Sequence, residues 1–217
     1  MPPLNAGDHL TRAEFERRYM AYPNIKKAEL IEGVVYMPSP THLLQHGQPH
    51  SDIVTWLGVY CAATRGVRAA NNATVRLDNE NEVQPDALLY LVQGGKTRIT
   101  EDDYLQGPPE LIAEIVASSA AYDLHVKRRV YQRLGVQEYL TLLAYEQRAD
   151  WFVLREGVYQ PLRPGEDGVL RSEFFPGLWL NVEAFWAGDL AGVLATLHDG
   201  LSTAEHADFV AQLEKLR

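Results

Sequence analysis

Two acidic side chains interrupt apolar segments that predict buried β-strands. Asp86 lies within Val83–Val92, and Glu114 lies within Leu111–Ala117. A carboxylate in a mostly buried strand is costly unless it is paired, hydrogen-bonded or bound to a cation. If the two strands are neighbours, both carboxylates can lie on one face of the sheet, where a divalent cation such as Mg²⁺ would remove their repulsion. The alternative is that each acid ends a strand or meets a buried arginine.

Basic residues follow the second acid on a predicted helix over about residues 120–134. Asp123, Lys127 and Tyr131 are spaced four residues apart, so they share one face of this helix. Lys127 could therefore point towards the strand carboxylates and orient a water molecule or hold a phosphate. The alternative is an ordinary solvated basic face, which is the commoner outcome for a run such as His125–Arg133.

A third carboxylate is available from an earlier segment. Glu29 and Glu32 flank the apolar pair Leu30-Ile31. Because side chains alternate along a strand, at most one of the two acids faces the proposed site. Glu32 is more simply explained as a turn residue before Gly33, and Glu29 remains the additional candidate.

Three histidines, His42, His46 and His50, are spaced four apart and resemble a helical metal stripe. Pro49 disfavours a regular helix through all three, because a proline within a helix costs roughly 3 kcal/mol. A histidine cluster without cysteine partners is a weak zinc signal. Only His46 is kept as an additional candidate for the site.

The spacing of apolar and polar residues predicts the elements that must position these groups. Thr11 and Glu14 predict a capping box at the start of a helix that ends before Pro23. Residues 28–37 predict a β-hairpin around Glu32-Gly33. Further helices are predicted over about 46–64, 120–134, 182–197 and 203–216, and strands over 73–77, 83–92, 111–117, 139–145, 151–154 and 157–162, with a polar connection over 93–109.

This order of elements predicts an α/β (α+β) fold with a mixed central sheet flanked by helices. The chain is expected to form a single domain over residues 1–217, with a core of about residues 10–155. A C-terminal hairpin and helices over residues 156–217 are expected to be appended to that core. The hydrophobic fraction of 46% is enough for such a core.

The charge of the chain bears on its partners. Its 20 basic and 29 acidic residues give a formal net charge of −9, which as a whole repels polyanions. The acidity is uneven, since residues 1–149 carry 15 basic and 18 acidic side chains and residues 150–217 carry 5 and 11. The first two thirds of the chain are therefore nearly neutral, which permits weak affinity for nucleic acid.

The compartment is predicted from cysteine usage and hydropathy. The single cysteine, Cys61, cannot form an intramolecular disulfide and is interpreted as a core residue. The N-terminal residues have no apolar signal segment, and the longest apolar runs are far shorter than the roughly 18 residues of a membrane span. We therefore expect a cytoplasmic protein without a membrane partner.

Several stretches, in their order along the chain, resemble a bacterial family of putative restriction endonucleases. That family was once catalogued as a domain of unknown function and is expanded in cyanobacteria. The matching stretches are Glu29-Leu30-Ile31-Glu32-Gly33, Ser39-Pro40 to His46-Gly47, Gln84-Pro85-Asp86, Pro109-Glu110-Leu111 through Glu114 to Ser118-Ser119, and Asp123…Lys127…Tyr131…Gly135-Val136-Gln137-Glu138-Tyr139. The resemblance covers about residues 10–155 and implies a nuclease-like fold of the PD-(D/E)XK type.

The resemblance also implies a metal-dependent phosphodiesterase site. Asp86 would be the first acid and Glu114 the second, together holding Mg²⁺ or Mn²⁺, and Glu29 would be an additional acid. The usual lysine position, two residues after Glu114, is occupied by Val116. Lys127 resembles the family's displaced basic residue. From the same motif, Gln84 is a further candidate beside His46.

Three functions follow from these residues and the resemblance. The first is an endonuclease that hydrolyses DNA phosphodiester bonds, with weak non-specific affinity for DNA and a homodimeric state. The second is a catalytically weak or inactive nuclease-fold protein that serves as a binding or assembly module. The third is a hydrolase of small phosphorylated molecules.

Overall fold

The computed structural model describes residues 1–37, 42–116 and 121–216. Within them the helices are α1 Arg12–Ala21, α2 Gln48–Ala63, α3 Ala121–Leu134, α4 Val182–Trp186, α5 Leu190–Leu201 and α6 Ala204–Glu214, and a π-helical turn spans Leu43–Gly47. The strands are β1 Glu29–Ile31, β2 Val34–Tyr36, β3 Val67–Ala70, β4 Val75–Arg76, β5 Glu82–Val83, β6 Ala87–Leu91, β7 Arg98–Ile99, β8 Leu105–Gln106, β9 Leu111–Val116, β10 Glu138–Leu143, β11 Arg148–Arg155, β12 Val158–Pro161, β13 Val169–Arg171 and β14 Trp179–Asn181.

The strands form two six-stranded sheets and a two-stranded one. The first sheet has the order β2-β1-β5-β4-β8-β7, the second has the order β12-β11-β10-β9-β6-β3, and β13 pairs with β14. In the second sheet β9 and β10 are parallel and are connected through α3, while the other neighbours are antiparallel. Mixed sheets flanked by helices confirm the α+β class predicted from the order of elements.

Alternation along β9 separates two hydrophobic clusters on the two faces of the second sheet. Leu111, Ala113 and Ile115 belong to the cluster that includes Trp56 of α2. Ile112 belongs to the other cluster, which includes buried residues of α3. Because side chains alternate between faces, Glu114 lies on the same face as Ile112. The strand therefore directs the second acid towards α3.

The segment Val83–Val92, predicted as one central strand with Asp86 inside it, is divided between the two sheets. β5 ends at Val83 in the first sheet and β6 begins at Ala87 in the second. Pro85 lies between them, and proline has no N–H to donate to a strand ladder. The prediction that Asp86 lies inside one continuous strand was wrong. Asp86 immediately precedes β6, at the point where the chain crosses from the first sheet to the second.

Two other predicted elements differ in detail. The polar connection over residues 93–109 contains the short strands β7 and β8. The single helix predicted over residues 182–197 is two helices, α4 and α5. Gly188 takes a positive φ of 72° between them, and Asp189 begins α5 by accepting a hydrogen bond from the N–H of Gly192 at 2.9 Å. A glycine followed by an N-cap residue thus separates the helices.

The start of α1 agrees with the predicted N-cap. Thr11 Oγ1 accepts the N–H of Glu14 at 3.4 Å, and Tyr22 follows the last helical turn before Pro23. The Glu14 carboxylate turns to Arg17 and Arg18 at 2.7 and 2.6 Å. The predicted capping box assigns this carboxylate to the start of the helix, but in the structure it pairs with these two guanidinium groups.

The C-terminal segment packs against α2. The Trp56 indole donates to the Trp179 carbonyl at 2.9 Å, and the Tyr60 hydroxyl donates to the Pro176 carbonyl at 3.0 Å.

Cys61, also on α2, is partly buried against the hydrophobic cluster that includes Trp56. Burial raises the pKa of its thiol to about 11, which opposes a nucleophilic role. Within the described part of the chain, no helix is both long and apolar enough to cross a membrane.

Candidate active site

Asp86, just before β6, lies opposite Glu114 of the neighbouring strand β9 in the second sheet. Ala87 of β6 pairs with Ala113 of β9 in an antiparallel register, which one residue further places Asp86 opposite Glu114. Asp86 Oδ2 accepts the N–H of Ile115 at 2.9 Å. Both carboxylates are buried, with Asp86 4% and Glu114 6% exposed. The structure therefore brings together the acids that the sequence indicated.

Lys127 joins Glu114 to the third acid. Its ammonium nitrogen lies 2.9 Å from Glu114 Oε1 and 2.8 Å from Glu29 Oε2. Glu29 is the first residue of β1, and its Oε1 accepts the backbone N–H of Gln84 at 2.7 Å. The lysine thus links an acid of the first sheet to an acid of the second sheet from the connecting helix α3.

Gln84 contributes to the site through its backbone. Its side-chain amide is directed towards the first helix, where Nε2 donates to the Tyr19 hydroxyl at 3.4 Å. The backbone N–H fixes the Glu29 carboxylate, as described above. Gln84 is therefore adjacent to the acids, but its side chain lies with α1.

A histidine and a second lysine also contact the Asp86 carboxylate. His46 Nε2 is 3.3 Å from Asp86 Oδ2, and Lys27 Nζ is 3.5 Å from Asp86 Oδ1. Burial acts to raise the pKa of Asp86. The hydrogen bond from His46 and the charge of Lys27 outweigh burial and lower that pKa to about 2, so Asp86 is ionised at neutral pH.

The histidine stripe is partly assembled here. The rings of His46 and His50 stack with centroids 5.8 Å apart, and His50 Nε2 lies 2.9 Å from the Asp86 carbonyl oxygen. Pro49 is accommodated in the first turn of α2, after the π-helical turn that carries His46. His42 only begins that turn. His50, which was not among the predicted site residues, therefore supports the backbone that carries Asp86.

Tyr131 is a further member of the site. Its hydroxyl donates to Glu114 Oε1 at 3.0 Å, and its ring packs edge-on against Tyr139 at 5.1 Å. Burial raises the pKa of Tyr131 well above its ordinary value, so the hydroxyl keeps its proton. The four-residue spacing from Lys127 predicts the shared helix face, and the structure directs both side chains to one oxygen. The side chain of Asp123, on the same predicted face, lies outside the described residues.

The electrostatic balance of the site depends on Lys127. Burial raises the pKa of Glu114, the charge of Lys127 opposes that rise, and the nearby Asp86 and Glu29 add to it. Burial acts to lower the pKa of Lys127, but the charges of Glu114 and Glu29 outweigh it and raise that pKa well above its ordinary value. The lysine therefore stays protonated and compensates the two carboxylates that it contacts.

The donor set fits a hard divalent cation. Mg²⁺ is usually held by one or two carboxylates together with water molecules and phosphate oxygens. Asp86 and Glu114 provide two carboxylates, and the hydrogen bonds from Lys127 and Tyr131 both reach Oε1 of Glu114 rather than Oε2. Across residues 1–37, 42–116 and 121–216, no three acid, histidine or cysteine side chains converge as metal ligands. Water and phosphate would complete the coordination.

The chain matches a family model over most of its length. The model of the Uma2 family, described as "Putative restriction endonuclease", matches residues 12–183, a span that contains Glu29, Asp86, Glu114 and Lys127. The chain belongs to the Uma2 family. Among curated proteins none matches the Uma2 chain.

A solved structure shares the fold of this Uma2 chain. It is described as a putative nuclease belonging to DUF820 from Anabaena variabilis. The two sequences are 14% identical, the match covers 79% of this chain and 97% of the other, and the TM-score is 0.61. At this identity the likeness concerns the fold alone, and it agrees with the nuclease-like fold that the resemblance implied.

The basic residue of the site does not come from the usual lysine position. Val116, at the usual lysine position, is the last residue of β9 and is half-buried. Lys127 reaches Glu114 from the following helix instead. The matching motif residues Ser39-Pro40 and Ser118-Ser119 lie outside the described residues.

Proposed function

We propose that this Uma2 chain hydrolyses DNA phosphodiester bonds with Mg²⁺ or Mn²⁺ held by Asp86 and Glu114. The observation that carries the proposal is the buried group of Glu29, Asp86 and Glu114, two of which share Lys127, in a chain of a restriction endonuclease family. Burying three acids together is unfavourable for the fold alone, because like charges repel and lose their solvation. Such a cost is common at functional sites.

Each side chain of the site has a distinct task in this proposal. A divalent cation, when bound, would activate a water molecule and stabilise charge on the attacked phosphate. Asp86 is ionised at neutral pH and is available as a ligand. Lys127 and Tyr131 hold Oε1 of Glu114, which orients its second oxygen. Glu29 holds Lys127 from the opposite side.

The basic residues of α3 and the net charge of the chain together predict weak binding of a polyanion. Of the basic residues on α3, Arg128 lies over the Phe152 ring at 4.9 Å and Arg133 lies 3.9 Å from Glu32. Arg129 is exposed. Because part of this basic face is engaged within the protein and the net charge is −9, non-specific affinity for DNA should be low and strongly salt-dependent.

Cleavage of supercoiled plasmid tests the proposal directly. We expect purified protein to convert the plasmid to nicked and linear forms with Mn²⁺ or Mg²⁺ and to leave it intact with EDTA. Turnover of a chromogenic phosphodiester without cleavage of DNA would overturn the proposal in favour of a small-phosphate hydrolase. Metal-independent DNA binding without cleavage of either substrate would overturn it in favour of a binding module.

Substitution Tyr131→Phe tests the orientation of Glu114. We expect cleavage to fall by about 10-fold, because groups that orient a metal ligand typically contribute 10- to 100-fold. The variant should also lose about 1 kcal/mol of unfolding free energy with the hydrogen bond. Plasmid nicking rates and urea unfolding measure the two effects.

Tyr159→Phe is the matched control for this substitution. The Tyr159 hydroxyl donates to the Val136 carbonyl at 2.9 Å, and Tyr159 is also buried, but it does not contact the acids. Its loss should lower stability by a similar amount and leave cleavage unchanged. Equal loss of cleavage in both variants would contradict a specific role for Tyr131.

A further inference from the structure

The site contains two lysines, and they are held very differently. The Lys127 ammonium contacts both Glu29 and Glu114 at 2.8–3.1 Å, and its side chain is 11% exposed. The Lys27 ammonium has longer contacts, 3.5 Å to Asp86 Oδ1 and 3.4 Å to Asn72 Oδ1. Its side chain is 27% exposed. Lys127 is therefore held tightly by the two carboxylates, whereas the Lys27 ammonium is free to contact a ligand that approaches from solvent.

The surroundings keep Lys27 at the edge of the site. Asn72 lies in a turn with a positive φ of 48°, and its backbone N–H donates to the Pro85 carbonyl at 3.0 Å, one residue before Asp86. Its side-chain oxygen faces the Lys27 ammonium. A loop tied to the backbone beside the first acid thus positions this lysine.

We propose that Lys27 binds the substrate, with its ammonium group contacting a non-bridging oxygen of the phosphate beside Asp86 and Asn72 positioning it. This inference rests on the proposed function. A compact ammonium on a flexible stem is a usual phosphate contact. Lys127 bridges two buried carboxylates at short distance, whereas Lys27 has a single longer contact to Asp86, which the Ile115 N–H and His46 also hold. Lys27 is therefore the lysine of the two that can pair with the substrate and still leave its carboxylate with partners. A structural role would make Lys27 merely the counter-ion of Asp86.

The salt dependence of DNA binding separates these two roles. Binding of a short fluorescent DNA duplex is measured by anisotropy over a series of KCl concentrations, with Ca²⁺ present. Loss of one phosphate contact should lower the slope of log affinity against log salt by about 0.9. We expect this decrease in Lys27→Met and a slope close to wild type in Lys27→Arg. A wild-type slope in Lys27→Met would overturn the inference.

The neighbouring lysine provides the control. Lys26 is exposed, and Lys26→Met makes the same change of charge one residue away. Its slope should match wild type, and a decrease equal to that of Lys27→Met would show only a change of net charge and overturn the inference. In cleavage assays with Mn²⁺, Lys27→Met should raise KM more than it lowers kcat. Circular dichroism verifies that each variant is folded.

The same measurements distinguish failure of the inference from failure of the proposed function. A wild-type protein that neither binds the duplex nor cleaves plasmid overturns both. If it cleaves plasmid without measurable binding of the duplex, the KM and kcat of Lys27→Met decide the inference. A wild-type protein that binds without cleaving overturns the hydrolytic function, and the salt slopes still decide whether Lys27 contacts phosphate. A wild-type protein that binds and cleaves, with unchanged behaviour in Lys27→Met, overturns the Lys27 inference alone.

Discussion

Asp86→Asn should lower DNA cleavage by at least about 100-fold, or about 2.7 kcal/mol of transition-state stabilisation. The amide keeps the size of the side chain and an oxygen to accept the Ile115 N–H, but it removes the negative charge. That charge is present at neutral pH because the pKa of Asp86 is about 2. Substitution by asparagine therefore tests the charge of the proposed metal ligand with little change in packing.

Glu114→Gln should have an effect of the same size for the same reason. Its amide still accepts from Lys127 or Tyr131 through the remaining oxygen, while the charge opposite Asp86 is lost. Plasmid nicking with Mn²⁺ measures cleavage, and isothermal titration with Mn²⁺ measures whether metal binding weakens in parallel. Circular dichroism reports whether each variant folds.

Glu146→Gln is the matched control for both substitutions. Glu146 is exposed and follows β10, which runs parallel to β9, so it makes the same change of charge near the same end of the sheet. It should leave cleavage and Mn²⁺ affinity unchanged. If folded Asp86→Asn and Glu114→Gln proteins cut plasmid at the wild-type rate, the proposed site is wrong.

The central part of the site can be predicted because its residues carry local signals. An acid in an apolar run is conspicuous, and this led to Asp86 and Glu114. Helical spacing places Lys127 and Tyr131 on one face, and the structure directs both to Glu114 Oε1. The order of elements likewise predicts the α+β class, since strands and helices alternate with clear periodicity.

Residues that reach the site across the fold carry no such signal. Lys27 and Asp86 are 59 residues apart, and their contact depends on how β1 and β6 are placed in two different sheets. His50 binds a backbone carbonyl, and sequence alone does not show which segment supplies that carbonyl. Such contacts depend on tertiary packing, which the periodicity of one segment does not specify.

A local signal, Pro85, indicated the break between β5 and β6, but the hydrophobic pattern around it suggested one continuous strand. Val83 and the run Ala87–Val92 are apolar, which favours a single buried strand. Pro85 between them indicates a strand end or an edge. The structure follows the proline, and the resulting crossover places Asp86 opposite Glu114, to which Lys127 links Glu29 of the first sheet.

Glu138→Ala should destabilise the protein more than any substitution considered above, by roughly 3 to 5 kcal/mol. Glu138 is the first residue of β10 and is 0% exposed. Its Oε1 accepts the N–H groups of Glu173 and Phe174 at 2.8 and 2.9 Å. Its Oε2 accepts the Ser172 hydroxyl at 2.7 Å and the Trp151 indole at 3.2 Å. One carboxylate thus binds residues 172–174 to the second sheet.

The expected loss arises from the four donors rather than from the carboxylate itself. A buried donor without an acceptor costs about 1–3 kcal/mol, and alanine offers none of the four an acceptor. Burial raises the pKa of Glu138 to about 7, and the four donors oppose that rise because they favour the ionised form. Urea unfolding is therefore best compared at about pH 8, where the carboxylate is ionised.

Two further variants show whether the carboxylate acts as an acceptor for these donors. Glu138→Gln keeps one acceptor oxygen but turns an NH₂ group towards two donors, so its loss should be smaller than that of Glu138→Ala and still exceed about 1 kcal/mol. Glu173→Gln changes an exposed acid in the same segment and should stay within about 0.5 kcal/mol of wild type. A loss below about 1 kcal/mol in Glu138→Ala would mean that water or repacking satisfies the donors. In that case the packing and the hydrogen bonds of the C-terminal segment against α2 would suffice to hold it in place.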